Sequence, residues 1–204
     1  MTTAANKIIV ETIIEQPMTV PSLQHELGKR RPFEHPEQEA FLNLMRTQSV
    51  LASPFDRLFE EHGISASGFN ILRILRGARE AGLEHGKPCH AIGEQMVARV
   101  PDVTRLVDRL EKAGLVARHR CTKDRRVVYV AITDAGLELL AKLDGPTLEL
   151  HRAQLGHMTP AELQELSRLL TLARTGASSG AGSGAQVGPD RKEQSDPDGG
   201  SSIH

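Results

Sequence analysis

Nine cations stand between Val97 and Val130: Arg99, Arg105, Arg109, Lys112, Arg118, Arg120, Lys123, Arg125 and Arg126. Four carboxylates share that stretch: Asp102, Asp108, Glu111 and Asp124. The local excess is five positive charges in a chain of formal net charge −1, so the remainder carries −6. A cationic segment on a neutral-to-acidic body suits a polyanion such as a nucleic acid. It equally suits a solvated charged surface, and charge alone does not separate the two.

Other chemistry is thinner. His85, Cys89 and His90 lie close in sequence, but their spacing matches no common zinc pattern, and a surface loop or strand explains them. Two cysteines, Cys89 and Cys121, do not make a disulfide framework. Cys121 has Arg118, Arg120 and Lys123 as neighbours, cations that would lower a thiol pKa and raise reactivity. There is no Gly-rich phosphate loop, nucleophile elbow or HExxH, and the pairs Glu37/Glu39 and Glu60/Glu61 read as solvated helix residues. No enzyme and no cofactor is therefore expected. No segment is long and apolar enough for a membrane span, and 8–14 is too short and too charged for a signal peptide. The expected location is the cytoplasm.

The elements that must carry the cations follow from periodicity. Aromatic residues are 3% of the chain, so the core must be built from Leu, Val, Ile and Ala. Residues 1–34 read as an arm, broken by Pro17, Pro21 and Pro32, with a short strand at 7–14 and a short helix at 22–29. Apolar residues at steps of three and four predict a helix over 37–62, kinked or split at Pro54 and stopped by Gly63. Ser65 can cap a second helix to residue 80, followed by a Gly-rich loop. A short helix at 91–97 leads to another that starts near Pro101 and ends at Gly114. Two β-rich runs, 115–120 and 127–132, flank a polar turn and predict a hairpin. A long helix follows Thr133-Asp134, interrupted near Gly145-Pro146. Thr159-Pro160-Ala161-Glu162 is a capping box for a last helix. From Gly176 onward, seven Gly, six Ser and two Pro among 29 residues predict a disordered tail.

Helix, short helix, turn, helix and hairpin in this order make a winged helix-turn-helix. The fold class is mainly α with a small β-wing. In the helix at 101–113, Val103, Leu106, Val107 and Leu110 form a buried stripe. Asp102, Arg105, Arg109 and Lys112 lie opposite, with Thr104 and Asp108 at the edge. Such a helix can enter a DNA major groove and read base edges, though an ordinary amphipathic surface helix looks the same. The hairpin tip, Thr122-Lys123-Asp124-Arg125-Arg126, gathers three cations where a structural hairpin would favour Asn-Gly or Asp-Gly. Clustered cations at a tip suit phosphates and the narrow minor groove.

The run VTRLVDRLEKAGLVARHRCTKDRRVVYVAITDAG, residues 103–136, resembles the MarR family of bacterial transcriptional regulators. The likeness extends over about 36–175. It implies that Thr104 and Arg105 face the major groove, that Arg126 enters the minor groove held by Asp124, and that the first and last long helices pair between two subunits. It also implies a small, often phenolic, effector between the dimerisation helices and the winged domain. Phe55, Phe59 and Phe69 are candidates to line that cleft, with plain core packing as the competing role. Two departures stand out: Pro101-Asp102 where the family often has Ser or Thr, and, as a minor change, Ile132-Thr133 where the family's last motif starts with Leu-Thr. Asp102 could complement the helix dipole or accept from a cytosine amino group.

The expected organisation is an arm at 1–34, dimerisation helices at 35–62 and 134–175, a DNA-binding domain at 63–133 and a tail at 176–204. The apolar stripes of residues 41–59 and 163–173 exceed what one small winged domain covers. The expectation is a homodimer on a pseudo-palindromic duplex, with recognition helices about 34 Å apart, and packing of both stripes within one chain is the competing reading. The expected DNA-binding set is Arg99, Asp102, Thr104, Arg105, Arg109, Lys123, Asp124, Arg125 and Arg126. A thiol sensor at Cys121 and a protein-interaction module on the same fold remain as alternatives.

Overall fold

A computed structural model describes residues 21–120 and 127–180. The expected strand at 7–14, the wing tip at 121–126 and the tail from 181 onward lie outside the described residues. Seven helices and three strands are described: α1 (Leu23–Glu26), α2 (Pro36–Glu61), α3 (Ala66–Glu80), β1 (Lys87–Pro88), α4 (Cys89–Gln95), α5 (Val103–Lys112), β2 (Val116–Arg120), β3 (Val128–Ile132), α6 (Asp134–Leu155) and α7 (Pro160–Gly180). They divide into two compact units, residues 1–150 and 151–204.

In the first unit, Ile71, Leu72 and Leu75 of α3, Ile92 of α4, Val107 of α5, Val130 of β3, and Leu140 and Leu143 of α6 are fully buried. On α3 and α6 their spacing of three and four gives each helix one inward face. Phe59 and Phe69 stack with centroids 4.3 Å apart, and Phe55 tilts against Phe59 at 6.2 Å. All three phenyl rings belong to this core or pack against it.

Neither α2 nor α6 is split at its proline. Pro54 lies inside α2 and Pro146 inside α6, and both helices run through. A proline removes the bond to the carbonyl four residues earlier. Those carbonyls belong to Val50 and Lys142, both exposed residues where water can replace the missing donor. The helix at the chain's end also continues past the expected boundary at Gly176, to Gly180.

The sheet order is β1-β3-β2, antiparallel throughout. The two hairpin strands pair from Val116↔Ile132 to Arg120↔Val128, in agreement with the β-rich runs. The Gly-rich segment expected to be a loop supplies the extra edge strand, Lys87–Pro88. Its approach depends on Gly86, whose φ is +75° and whose added Cβ would fall 1.8 Å from the Val130 carbonyl oxygen. Only glycine fits both demands.

Within the second unit, α7 opens on the expected capping box. The Glu162 N–H donates to Thr159 Oγ1 at 3.3 Å, and the Thr159 N–H donates to Glu162 Oε2 at 2.7 Å.

Candidate nucleic-acid interface

Helix α5 is positioned from both ends. At its start, Asp102 is the N-cap and its Oδ1 accepts from the Arg105 N–H at 3.0 Å. The helix therefore begins at Val103 rather than at Pro101. Asp102 takes the place of the missing hydroxyl cap, and its charge complements the helix dipole. This is the dipole alternative left open by the sequence, and it engages the carboxylate internally. At its end, Gly114 turns the chain with φ +73° into β2. The Thr133 hydroxyl then donates to the Gly114 carbonyl at 2.7 Å, and the Gly136 N–H donates to that same hydroxyl oxygen at 3.2 Å. One threonine thus caps α6 and ties it to the end of α5.

The turn between α4 and α5 is fixed by Asn70 of α3, whose Oδ1 accepts from the Val97 N–H at 2.8 Å. Arg99 is exposed in this turn. Leu106, Val107 and Leu110 of α5 are buried, while Thr104, Arg105, Arg109 and Lys112 are exposed. The amphipathic face expected from the sequence is thus present. Arg105, Asp108, Arg109 and Lys112, with Ser67 of α3 and Asp102, line an open hollow of about 600 Å³.

The acids of α5 are not left free. Arg118 of β2 reaches two carboxylates of α5 through separate guanidinium nitrogens, Asp108 at 2.5 Å and Glu111 at 2.7 Å. Burial disfavours the Arg118 charge, yet the Asp108 hydrogen bond and the fields of Glu111 and Asp108 outweigh it, so its pKa is raised. Arg118 therefore leaves the group of free cations. Arg99, Arg105, Arg109 and Lys112 have no ion pair among the described residues. The sequence does not show this sorting, because the partners lie seven and ten residues apart on different elements. The tip residues Lys123, Asp124, Arg125 and Arg126 lie outside the described residues, as does Cys121.

Cys89 is a free, half-buried thiol. Burial pushes its pKa up and outweighs the opposing pull of Arg118, so the neutral thiol is favoured. His85, Cys89 and His90 do not form a metal cluster among the described residues. His85 instead faces His119, with ring centroids 6.1 Å apart.

Residues 64–128 match the family model described as MarR family. The chain is 32% identical over 149 residues to an HTH-type transcriptional regulator of Bacillus subtilis, YkoM, covering 69% of this chain and 90% of that protein. The chain belongs to the MarR family. A solved MarR transcription factor from Planctomyces limnophilus is 42% identical, with 69% of this chain and 99% of that chain covered and a TM-score of 0.52. The HTH-type transcriptional repressor IacR of Pseudomonas putida is 26% identical over 134 residues, which is 66% of this chain and 77% of that protein. As a MarR-family member the chain is a DNA-binding transcription regulator and not an enzyme. Among the described residues no helix is long and apolar enough to cross a membrane.

In this MarR-family winged helix-turn-helix, α5 is the second helix of the helix-turn-helix, and its outer cations are free of ion pairs among the described residues. Phe55, Phe59 and Phe69 take the competing role of core packing. An open cleft of the first unit, about 470 Å³, lies instead between α2 and α6 and is lined by Pro54, Arg57, Leu58, Glu61, Pro146 and Glu149, with Leu150.

Proposed function

We propose that the chain acts as a cytoplasmic homodimer that represses transcription from a pseudo-palindromic operator. In this reading Thr104, Arg105 and Arg109 meet base edges in the major groove, and Arg99 meets the flanking phosphates. Lys123, Arg125 and Arg126 take the minor groove and its phosphates, with Asp124 orienting Arg126. The observation that carries the reading is the row Arg105, Arg109 and Lys112, without an ion pair among the described residues, on a helix whose carboxylates are engaged elsewhere. Asp102 serves this site as the cap that holds α5 rather than as a base reader.

The dimer reading rests on exposed apolar side chains. On α2, Phe41 and Val50 are 61% and 63% exposed, and Leu169 and Leu172 of α7 are 46% and 60% exposed. A second copy of the chain would bury such faces by an isologous pairing.

Repression is supported by the likeness to IacR, which is named a repressor. Release by a small aromatic or phenolic ligand draws on fold neighbours about 20% identical, one solved with 2,4-dichlorophenol and one regulated by 6-hydroxynicotinic acid. Here the cleft between α2 and α6 would hold the ligand, with Arg57 facing its ionised oxygen. Such a ligand acts only through different affinities for the two dimer geometries.

Selection of bound duplexes from a random pool with the full chain is the deciding test. Enrichment of an inverted repeat is expected. Recovery of no sequence preference at low ionic strength would remove the reading.

A further inference from the structure

Arg118 belongs to the cationic segment by sequence, yet its side chain is 26% exposed and its guanidinium bridges two carboxylates on successive turns of α5. One of those carboxylates, Asp108, lines the same hollow as Arg105, Arg109 and Lys112. An acid on that wall would repel the phosphates that the neighbouring cations attract. From this geometry we infer that Arg118 is a positioning residue for DNA binding: it masks Asp108 and Glu111, so that their charge does not oppose the phosphates, without itself touching DNA. The inference rests on the DNA-binding reading of α5 given above.

The charge balance makes it quantitative. In the native trio one guanidinium faces two carboxylates, a net charge of −1. Arg118→Gln leaves −2 beside the phosphates. Asp108→Asn with Glu111→Gln leaves +1 when Arg118 is present and 0 when Arg118 is also replaced by Gln. If masking is the role, affinity follows this order of charge. If Arg118 itself bound a phosphate, every chain lacking it would bind weakly, whatever stands at 108 and 111.

The experiment measures affinity for a selected operator against salt concentration, for the native chain, Arg118→Gln, the 108/111 double variant and the triple variant. Melting curves run alongside, because the same bridge also supports the fold. At low salt Arg118→Gln is expected to weaken binding roughly ten-fold, with the deficit shrinking as salt screens the freed carboxylates. The triple variant is expected to bind at least as tightly as the native chain, even where its melting temperature is lower. A triple variant as weak as Arg118→Gln overturns the inference. So does a native affinity for Arg118→Gln. A native chain that binds no duplex removes the underlying DNA-binding reading instead.

Discussion

Arg76 of α3 holds Asp144 of α6 in a two-point bridge, Nη1 to Oδ2 at 2.7 Å and Nη2 to Oδ1 at 3.1 Å. The fork geometry of guanidinium and carboxylate favours this arrangement. Arg73 adds a longer contact to Asp144 at 3.9 Å, and Arg79 pairs with Asp134 at 2.9 Å. Arginines at steps of three on one helix therefore fasten it to another. The Arg76 hydrogen bond, opposed by burial and aided by the charges of Arg76 and Arg73, lowers the Asp144 pKa below its ordinary 3.8.

A carboxylate with a depressed folded-state pKa stabilises the fold above its unfolded value. That contribution drains away as pH falls through the folded value. Asp144→Asn should therefore lower the stability at neutral pH by about 1 kcal/mol, discounted because Asp144 is 43% exposed. The gap between native and variant should close below about pH 3.8. Denaturant titrations at several pH values check this, and a gap that widens in acid would show the sign to be wrong.

Asp102 gives a second test, because its cap role and a base-reading role separate cleanly. Removal of the cap in Asp102→Ala should cost about 1 kcal/mol, while Asp102→Ser should keep most of it. Both changes remove a negative charge near phosphates, so neither should weaken DNA binding at matched stability. The base preferences of the selected operator should stay the same at every position for Asp102→Ser. A change at a single position would assign Asp102 to base reading after all.

Arg105 and Arg126 should fail in different ways. If Arg105 makes the proposed base contact, Arg105→Ala should cost about 1–3 kcal/mol, chiefly on the preferred sequence. Arg126→Ala should weaken binding to most duplexes and make the salt slope shallower by roughly one unit, as phosphate-associated cations do. Affinities on cognate and scrambled duplexes across a salt series distinguish the two. Native behaviour of both variants would dismantle the assigned site.

Local signals are legible in the sequence, and non-local ones are not. Ser65 accepts from the Gly68 N–H at 3.1 Å, and Thr159 with Glu162 closes the capping box, because caps depend on residues three apart. The inward face of α5 follows from helical period alone. Arg118 cannot be taken out of the cation group from sequence, since β2 meets α5 only after the chain has turned at Gly114. Strand β1 escapes a sequence reading because two residues carry no alternation, and their pairing is defined by Val130 and Tyr129. Pro54 and Pro146 read as breaks because a sequence does not show that the freed carbonyls belong to exposed residues.

Glycine chemistry supplies a prediction about the joint between wing and α6. A Cβ at Gly136 would lie 2.4 Å from the Leu115 carbonyl oxygen and 2.7 Å from Ile132 Cγ1. The backbone contact cannot yield without moving β2 from α6, so Gly136→Ala should cost about 1–3 kcal/mol or more. A Cβ at Gly77, within α3, meets nothing within 4 Å. Gly77→Ala should therefore stabilise the fold by roughly 0.5–1 kcal/mol through backbone entropy. Thermal melts of the two variants should move in opposite directions, and a common direction would contradict the packing of this joint.

The exposed face of α2 bears on assembly. Phe41 is 61% exposed, so an acidic residue there costs the isolated chain little. In a homodimer that buries this face, the same change places an unpaired charge in an apolar interface, which is costly by several kcal/mol. Phe41→Glu should therefore leave the secondary structure intact while shifting the sedimentation profile from dimer toward monomer. Operator affinity should fall with it, because a monomer engages one half-site only, and single half-site binding should persist. Asp56→Lys, an exposed charge change later on α2, is the control expected to sediment like the native chain. Dimers of native stability from Phe41→Glu would place the subunit contact elsewhere on the chain, leaving Phe41 with Leu44 and Met45 as an exposed apolar strip of α2.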